Sequence, residues 1–220
     1  MTQIPLKSGA WRLLTTASLA VVMGSSLTAC FPVIVGGAVM GSLVATDRRT
    51  TGAQLDDEGI ELRAASRIRE NLGDRVHVNV NSYNRRVLIT GEVPNAQDKQ
   101  LAEQVVSRVD NVQSVVNELA VLGNATLTQR SSDVLVTGKV KAVMVDTRDL
   151  YANAFKVVTE RGTTYLMGRV TQREADRATE ITRSTGGVQK VVRVLEIISE
   201  DELRNLLPQP APDHKSAPVK

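Results

Sequence analysis

Two apolar runs come first along the chain, and periodic patterns follow only after them. Leu13 to Met23 is interrupted only by small and hydroxyl residues, and Phe31 to Ala45 forms a second, glycine-rich run. Both fall short of the ~20 apolar residues that a spanning helix needs. Lys7 and Arg12 precede the first run, no acid occurs before Cys30, and Leu27-Thr-Ala-Cys30 closes it. A charged start, a short apolar core and a small-residue exit predict a secretory signal peptide over 1–29. The second run reads as a membrane-proximal tether. The polar stretch Thr46 to Asp57 reads as a flexible arm, so that 30–56 links an anchor to folded domains.

Beyond residue 57 the hydrophobic pattern repeats. Val87-Leu-Ile-Thr-Gly91-Glu-Val93 matches Thr164-Tyr-Leu-Met-Gly168-Arg-Val170, and Val112-Gln-Ser-Val-Val116-Asn matches Val188-Gln-Lys-Val-Val192-Arg. Upstream, Arg67-Ile68-Arg69 pairs with Lys139-Val140-Lys141. Each copy predicts a helix (near Glu61 to Leu72; Asp133 to Val145). A strand with period-two alternation follows (Val76, Val78, Val80; Phe155, Val157). A polar turn at Tyr83 to Arg86 or Glu160 to Thr163 closes a hairpin. The second strand ends at Gly91 or Gly168. A second helix (Asn95 to Val109; Gln172 to Ser184) and a Val-rich strand (Val112 to Leu122; Val188 to Ile198) complete the unit. The fold class is therefore α+β: two tandem αββαβ domains over 57–123 and 131–199. Each places two helices on a three-stranded mixed sheet. Units this small bury little surface alone, so the copies are expected to pack on each other. Gly123 to Ser132 reads as a linker. Ser199 and Glu202 predict a cap for a short helix ending near Leu207, and the tail through Lys220 reads as disordered.

Composition narrows the function classes. Without Lys7 and Arg12 the chain holds 25 basic and 24 acidic residues, and aromatic residues are few. That gives no basis for nucleic-acid binding. Cys30 is the single cysteine, and the histidines are His77 in a predicted strand and His214 in the tail. No disulfide and no metal-ligand cluster is expected. No nucleophile elbow or phosphate cradle appears: Gly36-Gly37 and Gly186-Gly187 lack the spacing. Gly186-Gly187 joins a helix to a strand, where φ > 0 is useful. No catalytic residue and no small-molecule substrate are expected. Asp56, Asp57 and Glu58 are read as negative charge at a helix N-terminus, Arg85 and Arg86 as a solvated hairpin tip. Arg48 and Arg49 read either as a solvated arm or as headgroup contacts.

The predicted helix from Asp133 to Val145 carries two apolar sides at 100° per residue. Val136, Val140, Val143 and Met144 form a core stripe. Val134, Leu135, Gly138, Ala142 and Val145 lie roughly opposite, flanked by Lys139 and Lys141. A basic-edged apolar face suits a lipid headgroup layer, because lysine buries its stem while its ammonium stays near phosphate. The first copy's matching positions, Leu62, Arg63, Ser66 and Glu70, hold one apolar residue. The same face also suits packing against the first copy, against the short last helix, or against a protein partner.

The Leu-Thr-Ala-Cys ending resembles the lipobox of bacterial lipoproteins. It implies covalent diacylglycerol and an N-acyl chain on Cys30, and no other cofactor. The pattern of strand, Leu-Ile-Thr-Gly-Glu-Val, helix and Val-x-x-Val-Val-Asn-Glu-Leu resembles the BON domain. Lipobox plus two copies resembles dual-BON outer-membrane lipoproteins. The arm Ala45-Thr-Asp-Arg-Arg-Thr-Thr-Gly-Ala-Gln-Leu-Asp-Asp57 and Val170-Thr-Gln-Arg-Glu-Ala175 strengthen the likeness. The Asn117-Glu118 pair of the first copy becomes Arg193-Val194 in the second. The resemblance implies a non-catalytic, phospholipid-binding role in envelope integrity. Phe31 after Cys30, in place of Asp, implies the outer membrane, facing the periplasm. The alternative is a scaffold or accessory subunit of the outer-membrane protein assembly machinery.

Overall fold

The computed structural model describes residues 47–206. The expected signal peptide, Cys30, most of the expected tether, His214 and the expected tail lie outside the described residues. Helix α1 is Thr51–Leu72. Strands β1 (His77–Tyr83) and β2 (Arg86–Val93) follow, then α2 (Ala96–Ser107), β3 (Ser114–Asn117) and β4 (Ala120–Val121). The second repeat runs α3 (Leu127–Asp146), β5 (Phe155–Glu160), β6 (Thr163–Thr171), α4 (Gln172–Ser184) and β7 (Lys190–Ile198). A short α5 (Glu200–Leu206) ends the described chain. The Ser199 hydroxyl accepts from the Glu202 N–H at its start.

The order αββαβ therefore occurs twice. In each sheet the middle strand pairs antiparallel with the hairpin partner and parallel with the last strand. The first sheet's last strand is broken into β3 and β4 at Glu118 and Leu119, yet both pieces keep one register on β2. Asn117 stitches the break, its side-chain oxygen accepting from the Leu119 N–H at 3.2 Å.

Both first helices start earlier than the hydrophobic period suggests. The Thr50 hydroxyl accepts from the Ala53 N–H, so α1 begins at Thr51 rather than near Glu61. Residues 51–56 are helix, not arm. Thr126 and Gln129 form a reciprocal capping box, so α3 begins at Leu127 and takes up most of the expected linker. Side-chain caps of this kind each contribute about 1 kcal/mol, enough to fix a helix end in polar sequence. The middle strands also run past Gly91 and Gly168, to Val93 and Thr171. A Cβ on Gly91 would lie 2.0 Å from the His77 carbonyl oxygen, and one on Gly168 2.5 Å from that of Ala154. These glycines permit close strand approach rather than end a strand.

Each repeat has its own core between helices and sheet. Ile60, Ala64, Ile68 and Leu72 of α1 meet Val87, Ile89 and Val93 in the first. Val136, Val140 and Met144 of α3 meet Val157, Leu166 and Val170 in the second. A third cluster joins the repeats: Tyr83 and Leu88 pack against Tyr165, Met167 and Val194. The sheets thus cover each other with the faces turned away from their helices. The middle strands are buried on both faces, which is why Val-Leu-Ile-Thr reads as a continuous apolar run rather than an alternation.

Candidate functional site

The equivalence of the repeats is set by one carboxylate in each first helix. Asp57 accepts from the N–H groups of Asn84 and Arg85, at 2.8 and 2.7 Å. Asp133 accepts from those of Arg161 and Gly162, at 2.8 and 2.9 Å. All four turn residues have positive φ, as two-residue hairpin turns with right-handed strand twist require. Asp57 is therefore not an N-terminal charge. It lies inside α1, buried, and also accepts from the Ser82 hydroxyl and from Arg49. Matching Asp57 to Asp133 shifts the helix alignment by one turn from the pairing of Arg67-Ile68-Arg69 with Lys139-Val140-Lys141. The true counterparts of Val134, Leu135, Gly138, Ala142 and Val145 are Glu58, Gly59, Leu62, Ser66 and Arg69.

On α3 the core stripe is Val136, Val140 and Met144. Val143, expected with them, is exposed at the edge of the stripe. The opposite side is open. Val134 is 71% exposed, Leu135 66% and Val145 72%. Gly138, Lys139, Lys141 and Ala142 are exposed too. Neither the first repeat nor α5 covers this face. Leu127, 79% exposed, stands seven residues before Val134 and extends the same line. Sequence periodicity misses it because the apolar period begins only near Asp133, whereas the Thr126-x-x-Gln129 spacing marks the earlier start. From Leu127 to Val145 the line is ~27 Å long. The first repeat does not repeat it: Leu55 and Leu62 are exposed there, but Glu58, Ser66 and Arg69 interrupt them.

Beside the C-terminal end of this face opens a cavity of about 380 Å³ lined by Asp47, Lys141, Met144, Val145, Ala152 and Phe155. Asp47 belongs to the arm, whose two arginines are held by the fold rather than by solvent. Arg48 is buried, its guanidinium bidentate on Glu174 at 2.7 and 2.6 Å and donating to the Arg169 carbonyl at 3.1 Å. Burial alone would raise the Glu174 pKa, but Arg48 and the Thr171 N–H hold it below the usual range. Arg49 bonds Asp47 and Asp57 and lies 4.3 Å over the Tyr83 ring. Burial opposes its charge, yet the two carboxylates raise its pKa. Neither arginine is available to headgroups.

Other expected groups sit elsewhere. Arg85 pairs with Asp56 at 2.6 Å, and Arg86 donates to the Leu195 carbonyl across the sheets, so this hairpin tip is tied down rather than solvated. Gly187 has φ of 102°, the backbone freedom expected at the α4–β7 junction. His77, Glu92 and Glu160 each bring a ligand-type atom within 4.8 Å of the others. The sequence hides this grouping because Glu160 comes from the other repeat. His77 bonds Glu92 at 2.9 Å, the Ala125 N–H and Arg161 also donate to Glu92, and Asn79 donates to Glu160 at 2.7 Å. Protein donors reach both carboxylates, so the group reads as a polar seam between sheets. Burial pushes the Glu160 pKa up; for Glu92 burial acts the same way, but the Ala125 N–H, His77 and Arg161 bring it below the ordinary value. Among the described residues no helix is long and apolar enough to cross a membrane.

The BON domain matches residues 56–123 and again 132–199. The outer membrane lipoprotein DolP of Haemophilus influenzae is 35% identical over 202 residues, covering 90% of this chain and all of that protein. A 21 kDa hemolysin of Actinobacillus pleuropneumoniae is 30% identical over 154 residues, 69% of this chain and 79% of that one. Among solved structures, CdsD, a structural protein of the Chlamydia trachomatis type III secretion system, overlaps 67% of this chain at 14% identity with a TM-score of 0.26, covering 99% of the CdsD chain.

Proposed function

This chain belongs to the BON-domain family, and from that premise we propose that it is a non-catalytic lipoprotein of the outer membrane that reads anionic phospholipid with the outer face of α3. Acyl chains on Cys30 hold it at the periplasmic surface, and the second repeat settles into the headgroup layer. The outer-membrane lipoprotein relative supports the location, and the Leu-Thr-Ala-Cys motif supports the anchor. The observation that carries the reading is the exposed, lysine-edged line from Leu127 to Val145 on one repeat, where its duplicate carries Glu58, Ser66 and Arg69.

The physical balance suits a weak, surface-bound contact. Each leucine or valine withdrawn from water contributes up to about 2 kcal/mol. Lys139 and Lys141 each add on the order of 1 kcal/mol near an anionic surface. Lipid thus gains from a face that contributes nothing to the folded core.

The test is Leu135→Glu in the soluble chain, with melting and flotation on phosphatidylglycerol vesicles measured together. Because Leu135 is exposed, melting stays within about 0.5 kcal/mol while flotation falls at least tenfold. Undiminished flotation would sink the reading; retained partner capture from crosslinked envelopes with no lipid binding by either chain would favour a scaffold role.

A further inference from the structure

The acid three residues into each second helix has an arginine partner, but the two partners come from different places. In the first repeat Asp98 is held by Arg75 at 2.8 Å. Arg75 lies in the short 3₁₀ turn Gly73–Arg75 of the same repeat. In the second repeat the counterpart acid is Glu174, which also forms a reciprocal capping box with Thr171 at the start of α4. The corresponding 3₁₀ turn there is Ala152–Ala154 and holds no cation. Arg48 fills the role from outside, with side-chain exposures of 3% for Arg48 and 0% for Glu174. The second repeat is thus completed by a residue that precedes the first.

We propose that Arg48 is a positioning residue: it makes the arm part of the second repeat and delivers the lipid tether to the bilayer beside the membrane-reading end of α3. The partner is a lipid surface, and the inference rests on the reading of Cys30 and α3 given above. Asp47, one residue before Arg48, shares a cavity with Lys141 and Val145. The chain from Cys30 reaches the fold at that point. The chain from Cys30 to Asp47 is 47 − 30 = 17 residue steps, which span at most roughly 60 Å. Fixing its exit next to the lipid face raises the local concentration of that face at the membrane holding the anchor. It also fixes orientation, so that the second repeat, not the first, meets the lipid.

The test uses the full lipidated chain in phosphatidylcholine–phosphatidylglycerol vesicles. Gly138→Cys places a thiol on the lipid face in open space. It is the only free thiol once Cys30 is acylated, so it takes a fluorophore that lipid-borne quenchers report. The double variant Arg48→Met/Glu174→Gln removes both buried charges together and keeps the capping acceptor, and so it keeps the fold. We expect it to stay on vesicles through the anchor while quenching falls at least twofold. With lipidation blocked by Cys30→Ser, its vesicle binding matches that of the parent. Equal quenching in the lipidated parent and variant overturns the inference but leaves the α3 reading standing. No quenching in the parent overturns both. Trypsin digestion of the native parent gives a second measure: cleavage after Arg48 and Arg49 as slow as cleavage in the core supports the clamp, and rapid cleavage there overturns it.

Discussion

The two repeats share a fold and a capping logic, yet they spend their first helices differently. In α1 the outward side holds Glu58, Ser66 and Arg69, and Asp57 gathers four donors beneath it. In α3 the outward side holds Leu127, Val134, Leu135 and Val145, and Asp133 gathers the two turn amides. The inward residues are interchangeable in kind and the outward ones are not. Duplication therefore supplies a control inside one molecule: whatever both helices carry serves the fold, and what only α3 carries asks for an explanation outside it.

The comparison breaks most sharply at the two aspartates. Removing a buried carboxylate leaves its donors unsatisfied, at about 1–3 kcal/mol for each buried donor, and the lower end applies where water can reach a turn. Asp57→Ala is expected to cost about 4 kcal/mol and Asp133→Ala about 2, measured by urea unfolding. Equal costs would show that the extra donors on Asp57 are incidental. The turns come next. Gly162 has φ of 72° and a Cβ there would lie 2.7 Å from Gln189, so Gly162→Ala should destabilise by about 1–2 kcal/mol. Arg85 sits at a φ of 64° without glycine's freedom. Arg85→Gly relieves that strain and loses the Asp56 pair, for a net change within about 1 kcal/mol.

Smaller effects separate the faces. Leu127→Ser should weaken vesicle flotation severalfold, whereas Leu62→Ser on the first repeat should leave it unchanged; equal losses would mean that both helices face lipid. The smallest effect is pH-dependent. The native state holds the Glu160 proton more tightly than the unfolded chain does, so this group adds stability at low pH and loses it as pH rises through its elevated pKa. Glu92 acts in the opposite sense, adding stability at neutral pH that fades as pH falls through its depressed pKa. Glu160→Gln is therefore expected to raise the melting midpoint relative to the parent at pH 8, with the gain shrinking toward pH 4. Glu92→Gln should lower it at pH 8.

Much of this architecture is legible in the residues. The hairpins, the bounds of α4 and the two-sided character of α3 follow from local periodicity and turn chemistry, and those are short-range forces. The helix starts at Thr51 and Leu127 escape because single capping hydroxyls set them in sequence with no apolar period. The one-turn error in aligning α1 with α3 arises because charged surface residues resemble each other, whereas the aligning contact joins Asp57 to a turn 27 residues away. Arg48 and Glu174 lie 126 residues apart, and no local pattern links them. The polar seam at Glu92 and Glu160 likewise exists only once two sheets meet. On the candidate face, the residues were readable but their exposure was not, since it depends on what the first repeat and α5 leave uncovered.

The grip of Glu174 on Arg48 also sets a mechanical path. Tension applied to the N-terminal chain reaches Arg48 before it reaches α1. It passes through two parallel charge-assisted bonds into the first turn of α4. Pulling from the N-terminal side would then load the second repeat first and leave α1 slack until that pair parts. Under such a load the fold would yield at a buried ion pair, at a rate set by that rupture rather than by the stability of the whole fold.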